Sequence, residues 1–173
     1  WRDVPADLSD IARIARLDAH LPKGALLVSS DLVRASATAA ALANGREALP
    51  ADPALREINF GAWDGLHWSE ASARDPDLTR AFWETPGDIA PPDGESWNAV
   101  AARVDGFVAQ ILAAHPGRDI VAVAHFGVIL TRVQQAGGLT AQAALAHSVE
   151  PLSVTQTEHT AAGWHLGEIG TCP

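Results

Sequence analysis

The sequence contains no methionine and a single cysteine, Cys172, next to its C-terminal residue. A lone cysteine excludes an internal disulfide and any metal site built from several thiolates, and it favours a reducing cytoplasm as the compartment. No apolar run approaches the roughly 20 residues a membrane helix needs, and nothing resembles a signal peptide. Cations are also scarce. Twelve Lys and Arg face 21 Asp and Glu, giving a formal net charge of −9, which argues against nucleic acid or an anionic membrane surface as a partner. A small anion stays open, because one local group of cations can override the global field. Homo-oligomerisation is left open as well. With Trp1 first and no methionine anywhere, the sequence lacks a translation start, and the expectation is a chain missing its beginning.

What is there suits one globular domain across residues 1–173, with 47% hydrophobic and 19% charged residues and enough length to bury a core. Apolar residues at 8, 11, 14, 17 and 21 predict a helix that Pro22-Lys23-Gly24 ends. "ALLVSS" (25–30) predicts a short buried strand, and "DLVRASATAAALANG" a helix capped by Ser30 or Asp31. "PALREINFGAWDG" (53–65) reads as strand and loop, and residues 66–93 as one or two short helices with a proline-bounded loop. Ser96 is the expected cap of a long helix that His115-Pro116-Gly117 ends. "DIVAVAH" predicts a strand, 126–136 a helix, and 152–158 with 163–167 a hairpin. Two strand-to-helix junctions imply βα units, so the fold class is α/β with a mainly parallel sheet. Ligands of such sheets bind outside the carboxyl ends of the strands.

Three residues at those ends carry chemistry. His125 interrupts the apolar run "VAVAHFGVIL" just before a helix N-terminus, whose unpaired N–H groups attract anions. Gly127 would let backbone approach a ligand there; alternatively His125 caps the helix or satisfies a buried carbonyl. Arg34 falls in the first turn of its helix, where the macrodipole disfavours a cation by a few tenths up to about 1 kcal/mol. A bound anion would explain its position, and so would a salt bridge to Asp31. Glu57 is either a solvated loop carboxylate or the proton donor of a phosphoryl-transfer site that the other two would complete. His67, His115, His147, His159 and His165 show no metal-ligand spacing.

Four segments, in order, resemble the histidine phosphatase superfamily, the group related to phosphoglycerate mutase: "SSDLVRASATAAALA", "LREINFGAWDGL", "PPDGESWNAVAARV" and "VAVAHFGVI". The resemblance implies a three-layer α/β/α fold and metal-free, cofactor-free chemistry through a phosphohistidine. It implies that Arg34 clamps the phosphoryl group, that His125 hydrogen-bonds it as the second histidine, and that Glu57 is the general acid. Phe126 would contribute its backbone N–H, standing where the family usually has glycine. Gly94, Glu95 and Ser96 fall to a loop and helix start, with Glu95 a lesser candidate for the site.

The family's arginine-histidine-glycine motif, which carries the nucleophile on the first strand, does not occur in these 173 residues. "WRDVPADLSDIARIARL" instead resembles the segment just after that strand, so the strand is expected upstream. The implied activity is a phosphomonoesterase acting on a small phosphorylated metabolite. The alternatives are a phosphoglycerate-type mutase, or a non-catalytic phospho-ligand or protein-binding module. Only Arg74 and Arg80 lie between Gly65 and Gly94, too few cations for a mutase holding a phosphorylated acid. The "AFWETPGDIAPPDGES" loop resembles the α-ribazole phosphatase branch. Trp63, Trp68, Trp83 and Trp97 would then stack on a flat ring, or else pack the core.

Overall fold

The computed structural model describes all residues from Trp1 to Pro173. Helix α1 (Ile11–His20) starts at Asp10, whose carboxylate accepts the Arg13 N–H at 2.9 Å, and it stops at Leu21 before Pro22. Strand β1 (Leu26–Ser29) is buried along its whole length, as the run of apolar residues requires. Parallel partners flank it: β2 (Glu47–Ala48) on one side and β3 (Ile120–Val123) on the other. β3 is paired on one side only, and its Ala122 is exposed.

Alternation along the strands sorts the core into two layers. Leu27 and its register partner Val121 face helix α2 (Val33–Ala41), packing with Ala39. Val28 points the other way, into the main core built from α5 (Trp97–Ala114) and α6 (Phe126–Gly137). The result is a three-layer α/β/α arrangement, as the sequence pattern and the resemblance implied. Ser96 caps α5 by accepting the Ala99 N–H at 3.2 Å. Short helices α3 (Trp68–Arg74) and α4 (Pro76–Glu84) fill the region between Gly65 and Gly94. Helix α7 (Ala141–Leu145), capped by Thr140, is an element the sequence pattern did not reveal. The final hairpin, β4 (Thr157–Thr160) with β5 (Gly163–Leu166), is a separate antiparallel pair. No helix is long and apolar enough to cross a membrane.

Two local expectations are overturned. Neither Ser30 nor Asp31 caps α2: the Ser30 hydroxyl accepts the Leu32 N–H at 3.2 Å, and the helix begins two residues later. Asp31 is occupied elsewhere, by a two-pronged pair with Arg56 at 2.7 and 2.6 Å. Residues 53–65 form no strand but two 3₁₀ turns, Pro53–Leu55 and Gly61–Trp63, joined by irregular backbone. Pro53 has no N–H to give a ladder. The backbone groups a ladder would use are taken by side chains: Arg103 holds the carbonyls of Ala54 and Glu57, and Glu95 the N–H of Asn59.

Candidate active site

The parallel register sets the site. Ser29 and Val123, the last residues of β1 and β3, are direct partners, and the Ser30 N–H extends the ladder to the Val123 carbonyl at 3.0 Å. Both strands therefore end at one edge, and the chain leaving each enters a helix there. One helix carries Arg34 in its first turn, and the other begins directly after His125.

Arg34 makes no salt bridge to Asp31, whose carboxylate is saturated by Arg56. Its guanidinium instead donates from Nη1 to the Arg2 carbonyl at 3.0 Å. The exposed start of α2 is met by Asp3, which accepts the Val33 N–H at 2.7 Å. Arg34 and Glu57 line one cleft of about 270 Å³, together with Arg2, Ile58, Phe60 and Asp64. His125 lies outside that lining, and it is tied to the cleft through Glu57.

The tie is a carboxyl on a helix start. Oε1 of Glu57 accepts the N–H of Gly127 at 3.0 Å and that of its neighbour Ile58 at 2.9 Å. The residue as a whole is partly exposed, but its carboxyl group is enclosed, and that enclosure raises its proton affinity above the ordinary carboxylate range. The two N–H donors and the charges of Arg34 and Arg103 oppose the rise without cancelling it. This contact by itself demands the glycine. A Cβ at 127 would sit 2.5 Å from Ile58 Cγ1 and 2.7 Å from Glu57 Oε1.

His125 occupies the N-cap position of α6, yet its side chain makes no capping bond. The residue is 8% exposed, and its buried Nε2 has no hydrogen-bond partner. Both structural explanations, helix cap and bonded core histidine, therefore fail for Nε2. Burial, then the positive charges of Arg34 and Arg103, pull its pKa down to about 4, against the pull of Asp3 and Asp31. The ring is neutral at physiological pH. Phe126 opens α6 and leaves its ring substantially exposed, while its N–H belongs to the first turn, which has no partner within the helix. A guanidinium, a neutral imidazole with a free nitrogen and an enclosed carboxyl of raised proton affinity thus share one sheet edge. That set can hold an oxyanion and protonate a departing oxygen.

The family model of the histidine phosphatase superfamily (branch 1) matches residues 7–171. The chain belongs to this superfamily. A bifunctional protein of Mycobacterium tuberculosis is 36% identical over 126 residues, 72% of this chain and 32% of its own length. The metal-independent phosphoserine phosphatase of Arabidopsis thaliana is 31% identical over 156 residues, 82% of this chain and 63% of its own. The adenosylcobalamin/alpha-ribazole phosphatase of Escherichia coli is 29% identical over 120 residues, 68% of this chain and 59% of its own. The chain thus spans from about a third to less than two thirds of the length of these curated relatives. Among solved structures, Bacillus stearothermophilus YhfR superposes with a TM-score of 0.88 at 27% identity, covering 99% of this chain and 87% of that one.

Within this histidine phosphatase fold the tryptophans divide. Trp63 and Trp97 are core residues; Trp97 is 1% exposed and donates from Nε1 to Gln134 at 2.6 Å. Trp83 is exposed but leans on Phe60 of the cleft, ring centroids 6.3 Å apart, whereas Trp68 projects further into solvent. The other histidines serve elsewhere: His20 pairs with Glu168, His67 caps α3, His115 follows α5 and His159 lies on Trp164. Sequence reasoning missed Arg103 and the Asp31–Arg56 pair. Both are contacts between distant segments, and no spacing rule announces them.

Proposed function

We propose that this chain is the body of a metal-independent phosphomonoesterase acting on a small phosphorylated metabolite through a phosphohistidine. By the resemblance, the nucleophile is the histidine of an arginine-histidine-glycine motif, which residues 1–173 do not contain. Its neutral nitrogen attacks phosphorus in line, and the P–O bond to the leaving group breaks as the P–N bond forms. Arg34, the free nitrogen of His125 and the Phe126 N–H hold the phosphoryl oxygens. Glu57 gives its proton to the leaving oxygen and is left as carboxylate. That carboxylate then takes a proton from the water that cleaves the phosphohistidine, releasing phosphate and restoring both groups. The observation that carries the reading is the enclosed Glu57 carboxyl, its proton affinity raised by burial, bonded to the start of the helix that follows His125.

Hydrolysis is favoured over a mutase by the state of the two cations between Gly65 and Gly94. Arg80 is paired with Asp77, and Arg74 lies against Asp75 and the Ala62 carbonyl. Neither is a free handle for a second acidic group. Residues 1–173 make up one domain of an enzyme that works in the cytoplasm, where a lone cysteine stays reduced.

The test is turnover by the full-length gene product of an aryl phosphate and an alkyl phosphate, with and without a chelator. Wild type is expected to hydrolyse both equally well in either condition. Glu57→Gln is expected to lose about 10²–10³-fold on the alkyl ester, whose leaving oxygen needs a proton, and only a few-fold on the aryl ester. Equal losses would remove Glu57 from the acid role. Loss of activity in chelator, restored by zinc or magnesium, would overturn the metal-free reading. Phosphate binding without turnover of either ester would make the chain a binding module instead.

A further inference from the structure

The segment bearing Glu57 has no strand neighbours, yet its backbone is pinned at four points by one ion pair on α5. Arg103 donates from Nη1 to the Ala54 carbonyl at 2.6 Å and from Nη2 to the Glu57 carbonyl at 3.1 Å. The same guanidinium forks onto Glu95, Nε to Oε1 at 2.9 Å and Nη2 to Oε2 at 3.0 Å. Glu95 in turn accepts the Asn59 N–H at 2.9 Å and gives its own N–H to the Asn59 carbonyl at 2.8 Å. The pair therefore grips the chain before, at and after Glu57. Close approach at Asn59 is permitted by Gly94, where a Cβ would lie 2.5 Å from the Asn59 carbonyl oxygen.

Neither Glu95 nor Arg103 lines the cleft, so neither is placed to touch a substrate. We infer that the Arg103–Glu95 pair is the positioning device of the general acid, setting where the Glu57 carboxyl stands relative to the leaving oxygen. The inference rests on the acid role proposed for Glu57. The fork geometry is what matters, since a lysine offers a point charge and cannot span two carbonyls and a carboxylate together. Misplacing a reacting group by about 1 Å can cost about 10²-fold. A displaced acid handicaps only those substrates that need its proton.

The experiment measures kcat and KM of the full-length protein on the same aryl and alkyl phosphates for Arg103→Lys, Glu95→Gln and the double variant Arg103→Lys/Glu57→Gln, with thermal melting of each. Both conservative single variants are chosen because they keep bulk and are expected to fold. The expected result is a fall of about 10-fold or more in alkyl kcat for Arg103→Lys, with aryl kcat within about 3-fold and KM for both esters little changed. Glu95→Gln should shift the alkyl-to-aryl ratio the same way. The double variant should show no further drop in that ratio below Glu57→Gln alone, because an absent acid cannot be misplaced. A merely structural pair would lower melting temperature and depress both substrates alike, and that outcome overturns the inference while leaving the acid role intact. If Glu57→Gln itself does not discriminate between the esters, the acid role falls and this inference falls with it.

Discussion

His125 is held neutral in the folded protein, and that state has a consequence for stability. In the unfolded chain its ring titrates near 6.5, whereas in the fold burial and the facing charges of Arg34 and Arg103, against Asp3 and Asp31, bring it to about 4. A lowered pKa means that the folded state binds fewer protons than the unfolded one between those values. Its stabilising share is therefore complete above pH 6.5 and is lost as the pH falls toward 4. Each pKa unit is worth about 1.4 kcal/mol, so the full loss is ~3 kcal/mol. Solvent at the accessible edge of the site screens part of this, and about 2 kcal/mol is the expected measurable figure. The perturbation is His125→Gln, which cannot charge. Urea unfolding of both proteins at steps from pH 7.5 to 4.5, in buffers free of phosphate and sulfate, isolates the effect because shared carboxylate contributions cancel in the difference. Wild type should lose about 2 kcal/mol more than the variant over that range. Parallel curves, or a ring titration in the folded protein with its midpoint at 6.5 or above, would refute the reasoning.

Much of the fold was legible because its signals are local. The apolar run 25–30, the glycine and proline stops, and Ser96 at a helix start each encode their own element, and the parallel sheet follows from the two strand-to-helix junctions. That the segments bearing Arg34 and His125 leave the sheet at one edge was legible for the same reason, since parallel strands end at a common edge; that His125 stays outside the cleft lined by Arg34 was not. Glu57 was harder. Its segment carries the apolar and turn residues of a strand, but Arg103 and Glu95, some 40 residues away, claim its backbone groups. The capping of α2 was misread similarly, because Asp31 prefers the guanidinium of Arg56 to the helix beside it. Helix α7 is five residues long, too short for periodicity to register. Sequence reasoning failed wherever a charged side chain from elsewhere outbid the neighbouring backbone.

Arg34→Ala should weaken inorganic phosphate binding by about 10- to 100-fold, the worth of a charge-assisted hydrogen bond, measured by isothermal titration; unchanged affinity would remove Arg34 from the anion site. Glu57→Gln should gain stability relative to wild type as the pH rises, because a raised carboxyl pKa stabilises the fold only while the proton is held and loses that share as pH climbs through the folded value; urea unfolding at pH 4.5 and 8 checks the sign. Gly127→Ala sets two effects against each other. Alanine is the better helix former by about 1 kcal/mol, and in open surroundings it would stabilise α6. Here the added methyl meets Ile58 and the Glu57 carboxyl at 2.5–2.7 Å. Ile58 is 2% exposed and packed in the main core, so it has no room to yield, and Glu57 can retreat only by giving up the Gly127 N–H. Overpacking of this kind typically costs about 1–3 kcal/mol, which exceeds the helix gain. The variant should therefore melt below wild type and lose alkyl phosphate turnover, while phosphate binding at Arg34 persists. A Gly127→Ala protein that is more stable and fully active would mean that Glu57 does not rest on the start of α6.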